Sequence, residues 1–138
     1  DTKEKLPAGA IFADTLPLLV RGLVGEPIPP EGSRTLQVFP RLFDLRMLHR
    51  PGGFGQATIE RGKATNITVP AGSFEVEPTT VRASNGVWTY QVETAPPHRL
   101  IRWEGPEGEV GELTGSIRTP YWNQNRKGDE ALLKEIGL

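Results

Sequence analysis

Between Val69 and Trp122 polar and apolar residues alternate, and glycine or proline interrupts them every few positions. A period of two puts successive side chains on opposite sides of the backbone, so this tract specifies a sheet. Val69-Pro70-Ala71-Gly72-Ser73-Phe74 opens it with a tight turn, in which proline presets its own dihedral and glycine accepts the left-handed one. Phe74 and Val76 lead to Thr79-Thr80-Val81-Arg82, with Pro78 marking an edge or a bulge. Ser84-Asn85-Gly86 is the strongest hairpin signal, because Asn-Gly favours a turn whose twist matches paired strands. Trp88, Tyr90 and Val92 then share one face of a strand, opposite Thr89, Gln91 and Glu93. Ala95-Pro96-Pro97 breaks it, Leu100–Glu104 resumes it, and Gly105-Pro106-Glu107-Gly108 turns the chain into a last strand over 110–118. Pro120-Tyr121-Trp122 closes the tract.

Upstream, the polar segment 1–13 reads as an irregular arm. Asp14-Thr15-Leu16-Pro17 reads as a helix start, with Asp14 as cap and Pro17 in the first turn, where its missing donor costs nothing. Leu16, Leu19, Val20 and Leu23 fall at helical spacing, and Gly22 and Gly25 limit the helix to 14–24. Glu26 to Gly32 is a proline-rich linker. From Ser33 the period becomes two: Leu36 and Val38 mark one strand, Phe43, Leu45 and Met47 a second, and Pro51-Gly52-Gly53 turns the chain. Thr58-Ile59-Glu60 and Asn66-Ile67-Thr68-Val69 are two short runs around Gly62. Asp129 caps a terminal helix over 129–136, with Leu132, Leu133 and Ile136 on one face, a Glu130–Lys134 surface pair, and Gly137 at its end. The fold class expected is mainly β: an antiparallel curved sheet or open half-barrel over 33–122, with a short helix near each terminus, in one domain spanning 1–138.

At 138 residues the chain buries about two-thirds of its unfolded surface, which is enough for a core without staples. There is no cysteine, which removes disulfides, thiolate nucleophiles and cysteine-built zinc sites. The 16 basic and 17 acidic residues are dispersed, without the concentrated positive charge by which proteins displace counterions from nucleic acid. The longest aliphatic run, Leu16 to Val20, is far short of the ~20 residues that span a bilayer. A chain opening on Asp1, with no signal peptide visible, is expected of a processed product or an excised piece. The excess of Glu over Asp and of Arg over Lys, with plentiful proline, hints at a thermophile, although GC-rich coding produces some of the same bias.

Reactive hardware is sparse. His98 is the better histidine for proton transfer, but no orienting carboxylate stands at a telling spacing, and His49 beside Arg50 and Pro51 reads as structural. Two histidines alone make a poor zinc set, so no metal and no cofactor is expected. Glu104, Glu107, Glu109 and Glu112 surround a Gly-Pro turn and offer oxygens to calcium, yet read better as a solvated hairpin tip. Gly72-Ser73 lacks the second glycine and the helix of a nucleophile elbow, and Pro51-Gly52-Gly53-Phe54-Gly55 lacks the lysine of a phosphate loop. What remains is aromatic. Trp88, Tyr90 and Trp103 fall on neighbouring strands, with Tyr121 and Trp122 beyond them and Arg102 and Arg99 at a rim. Such residues build either a ligand-facing wall or an ordinary β core.

The stretch from Phe12 to Trp122 resembles an uncharacterised bacterial family, domain of unknown function 3108. The likeness rests on the helical segment Asp14 to Leu23, on Val69-Pro70-Ala71-Gly72-Ser73-Phe74 as the family's turn motif, and on Tyr90-Gln91-Val92-Glu93 with Pro97 to Trp103 as its late paired strands. The resemblance implies a periplasmic or extracellular β-rich protein and carries no catalytic residues over. Members extend further on the N-terminal side, which implies that part of the sheet is missing or replaced here. The function expected is a non-catalytic envelope domain binding an apolar or amphipathic small molecule in its curved sheet. The alternatives are a module pairing with a protein partner through a sheet edge and, third, an enzyme.

Overall fold

The computed structural model describes residues 6–47, 49, 52–124 and 126–137. Eight strands form one curled sheet, an open half-barrel: β1 Ile11–Phe12, β2 Ser33–Phe39, β3 Gly55–Arg61, β4 Thr65–Val69, β5 Gly72–Ala83, β6 Gly86–Glu93, β7 Leu100–Glu104 and β8 Val110–Glu112. The order is β1-β2-β3-β5-β6-β7-β8, with β4 also on β5, and every pairing is antiparallel except β1 on β2. Two short helices, α1 Leu16–Leu19 and α2 Leu42–Met47, lie between the early strands.

β5 organises the sheet. Its first half pairs β4 through Val76 and its second half pairs β3 from Thr79, so Glu77 and Pro78 fall in the gap between two partners. A proline there interrupts no ladder bond, which is why a twelve-residue strand tolerates one at its centre. Its carbonyl accepts the Gly62 amide at 2.8 Å and pins the β3–β4 turn. Both hairpins of β5 have two-residue loops, Pro70-Ala71 and Ser84-Asn85, each followed by a glycine of positive φ, 127° at Gly72 and 146° at Gly86. In the Ser84-Asn85-Gly86 hairpin the positive dihedral lies at the glycine.

Alternation divides the sheet into two apolar faces. Ala57, Ile59 and Val81 on one face join Val38 and Tyr90, and Leu16, Leu19 and Ile28 cover them. Val69, Val76 and Ile101 form a smaller cluster, with Ile67, Phe74 and Leu113 against it. A register shift between Gln91 and Val92 inserts Ile101 as an extra residue, since Gln91 faces Arg102 and Val92 faces Leu100. The bulge sends Ile101 to the smaller cluster while Leu100 stays on the larger face.

Several expectations are corrected. Residues 43–47 form a helix and not a strand: Pro40 ends the β2 ladder, the Leu45 amide reaches the Arg41 carbonyl, and the Leu-Arg-Met run suits a helix as well as a strand. The 14–24 helix shrinks to Leu16–Leu19 plus a 3-10 turn over Ala13–Thr15. Gly22, at φ 70°, donates its amide to the Leu19 carbonyl while Leu23 donates to the Leu18 carbonyl, the pair of hydrogen bonds that closes a helix on a left-handed glycine. Leu23 is left exposed. Asp14 makes no cap bond and pairs instead with Arg41 at 3.4 Å. The arm contributes β1, and the linker contributes Ile28 to the core. The last strand stops at Glu112, short of Arg118. The terminal helix is 3-10 over Asp129–Ile136, and Asp129 and Glu130 accept the amides of Arg126 and Gly128, so Glu130 does not pair with Lys134. Asp1 to Lys5, Leu48, Arg50 and Pro51 lie outside the described residues.

Candidate functional site

The larger face is only partly covered. Beyond Leu16 and Leu19 it opens into a groove of about 990 Å³ between the sheet, the α1 segment and α2. Trp88, Tyr90 and Trp103 all line it, together with Leu45, Met47 and Phe54 on the opposite side. The alignment follows from register: Val81 faces Trp88, Thr79 faces Tyr90, and Tyr90 faces Trp103. Small residues at Ala57 and Ala83, facing each other across β3 and β5, leave the space that larger side chains would fill. The aromatic set therefore divides its duties. Tyr90 is buried and part of the core, Trp88 is half-buried, and Trp103 is 36% exposed. Burial raises the Tyr90 phenol above its ordinary value, opposed by the positive charge of Arg41.

The Trp103 indole has one side supported. It lies over Gly111, its partner across β7 and β8; a Cβ built there would stand 2.0 Å from the indole nitrogen. Pro106 packs on Gly86 in the same way, at 2.3 Å from a Cβ built on the glycine. The β7–β8 turn and the β5–β6 turn are thereby clasped together at one end of the groove, where Asn85, Glu107 and Glu109 line it.

The remaining candidates fall elsewhere. Arg102 points to the other face and pairs with Glu104 and Glu112, so it supplies no rim charge. Tyr121 and Trp122 pack edge to face on each other, 5.3 Å between centroids, in an exposed 3-10 turn outside the groove. The four glutamates do not converge: Glu104 and Glu112 hold Arg102, and Glu109 accepts the Glu107 amide at 2.9 Å. Among the described residues no group of three or more metal-ligating side chains is clustered. No helix there is long and apolar enough to cross a membrane.

His98 is exposed, at φ 57°, with Nδ1 3.3 Å from the Glu93 carbonyl, so its partner is main chain and not a carboxylate. It borders a smaller cavity of about 230 Å³ beside Glu93, Arg61 and Ile28. The polar groups there are tied into the fold. Glu93, 4% exposed, takes the Arg99 amide at 2.8 Å and grips its guanidinium with both oxygens at 2.7 and 2.8 Å. That grip holds the Glu93 carboxyl below its ordinary value. Arg61 pairs with Glu77 and donates to the Ile28 carbonyl, and Arg21 donates to the His98 carbonyl at 2.6 Å. Sequence reasoning missed this cluster, although Glu93 and Arg99 flank the proline break and a six-residue separation across a strand connection was a usable signal. The α2 side of the groove was also missed, because Phe43, Leu45 and Met47 carry a strand period in the sequence. No family model matches the chain, and no curated protein or solved structure matches it significantly.

Proposed function

We propose that this domain is a binding module that holds an amphipathic small molecule in the groove of its curled sheet. The observation that carries the reading is the groove of about 990 Å³ walled by Trp88, Tyr90 and Trp103. Its size is at the upper end of the ~300–1,000 Å³ of small-molecule sites, and its lining is mixed, aromatic and aliphatic along the sheet with Asn85, Glu107 and Glu109 at one end. An aromatic wall gives broad contact area at little entropic cost, and the half-open side leaves room for a polar head. An exported setting, periplasmic or extracellular, belongs to the same proposal and rests on the family resemblance alone.

The test is titration with N-phenyl-1-naphthylamine, an uncharged apolar fluorophore. The reading expects saturable enhancement at one site, and loss of that enhancement in Ala83→Phe, which fills the groove. Absence of saturation, or an Ala83→Phe variant that binds as the parent does, would overturn it.

A second reading, pairing with a protein partner through a sheet edge, is favoured by β4, which among the described residues pairs with β5 alone. Sedimentation over a concentration series separates the two, since edge pairing predicts assembly without any small molecule.

A further inference from the structure

We propose that the ligand of this groove is a cationic amphiphile whose positive head sits between the Trp103 indole and the carboxylates of Glu107 and Glu109; the inference rests on the binding reading above. Among the described residues the groove lining carries four charged side chains, Asp14, Arg41, Glu107 and Glu109. Asp14 lies 3.4 Å from Arg41, so the single guanidinium is already matched by a carboxylate and offers no net charge to an anion. The two glutamates are not matched. Glu109 meets only a main-chain amide, that of Glu107, and the Glu107 carboxylate has no hydrogen-bond or ion-pair partner among the described residues. The groove therefore carries an excess of two negative charges, both on the β7–β8 turn.

The same turn begins two residues after Trp103, at Gly105. Gly111 backs one side of the indole, and its groove side is offered to the ligand. A π face beside carboxylates is the arrangement that recognises ammonium and quaternary ammonium groups, because ring quadrupole and carboxylate charge add. Pro106 seated on Gly86 fixes the turn against its neighbour, which keeps Glu107 and Glu109 at the groove end. An apolar tail would run from there along Trp88 and Leu100 toward Leu16.

Calorimetric titration with three twelve-carbon probes below their micelle concentrations tests this: dodecyltrimethylammonium, dodecanoate and uncharged dodecyl maltoside. The expected result is that the trimethylammonium probe binds at least about tenfold more tightly than dodecanoate, as one unscreened charge pair near a protein surface allows. Glu107→Gln with Glu109→Gln is expected to abolish that preference, lowering dodecyltrimethylammonium affinity by a larger factor than dodecyl maltoside affinity. Raising salt is expected to narrow the gap in the parent. Trp122→Phe, outside the groove, leaves all three affinities unchanged. Equal or tighter dodecanoate binding overturns the charge assignment but leaves the groove reading standing. Binding of none of the three overturns both. Because the glutamine pair changes only exposed positions, its fold is checked directly by circular dichroism. If a Glu107→Lys variant keeps the cationic preference, the assignment is wrong.

Discussion

Replacing Glu93 with alanine removes the carboxylate that organises the connection from β6 to β7. Three hydrogen bonds are lost at once, at 2.8, 2.7 and 2.8 Å, and the Arg99 amide and guanidinium are left without their acceptor. Breaking a buried ion pair by removing one partner costs about 3–5 kcal/mol. Arg99 is a third exposed, so water recovers part of the loss, and about 2–3 kcal/mol is expected at pH 7. The folded-state carboxyl titrates below its ordinary value of 4.5, chiefly through the Arg99 hydrogen bonds. Its contribution is therefore complete above pH 4.5 and disappears as pH falls through the lower folded-state value. Urea unfolding of parent and Glu93→Ala followed by circular dichroism, at pH 7 and again well below 4.5, measures both effects. The gap should narrow in acid, and Arg99→Met should be strongly non-additive with Glu93→Ala. A pH-independent gap, or additive single changes, would refute the assigned pairing.

Four further outcomes follow from the packing. Ile59→Ala, at a fully buried position, should cost about 2–5 kcal/mol in chemical denaturation. Gly86→Ala meets both Pro106 and a φ of 146°, so it should lower Tm and loosen the clasp between the two turns; an unchanged Tm would contradict the packing. The Gln91 Oε1 is buried without a hydrogen-bond partner among the described residues, so Gln91→Met should leave stability unchanged or raise it by about 1 kcal/mol, read by thermal unfolding. Tyr90 titrates above its ordinary 10.0 because it is buried; its stabilising contribution is complete below pH 10.0 and lost as pH rises through the higher folded-state value, so Tyr90→Phe should flatten the alkaline limb of the stability profile.

The sheet was legible because alternation and turn chemistry agree over most of its length. Trp88, Tyr90 and Val92 on one face and Thr89, Gln91 and Glu93 on the other stand in β6 as the period of two requires. Residues 42–47 were not legible, since Phe43, Leu45 and Met47 satisfy a strand period while Leu42 and Leu45 satisfy a helical one, and Pro40 decides between them. Strand ends were likewise hidden: nothing in the sequence of 113–118 says that its partner β7 begins only at Leu100. In the groove, the aromatic wall was readable from register alone, because it lies on adjacent strands. The helical side was not, because it depends on where α2 folds back. Arg102 was misassigned to the rim for a simple reason: one residue along a strand reverses the face, and Trp103 is the neighbour that looks inward.

The three tryptophans give the most direct test of the groove. In a proton–nitrogen spectrum each indole N–H gives one signal, and Trp88 and Trp103 line the groove while Trp122 stands outside it. Titration with dodecyl maltoside should shift the Trp88 and Trp103 signals together to one saturating stoichiometry and leave Trp122 in place. Movement of Trp122 alone, or of no indole at all, would contradict a ligand seated against the aromatic wall.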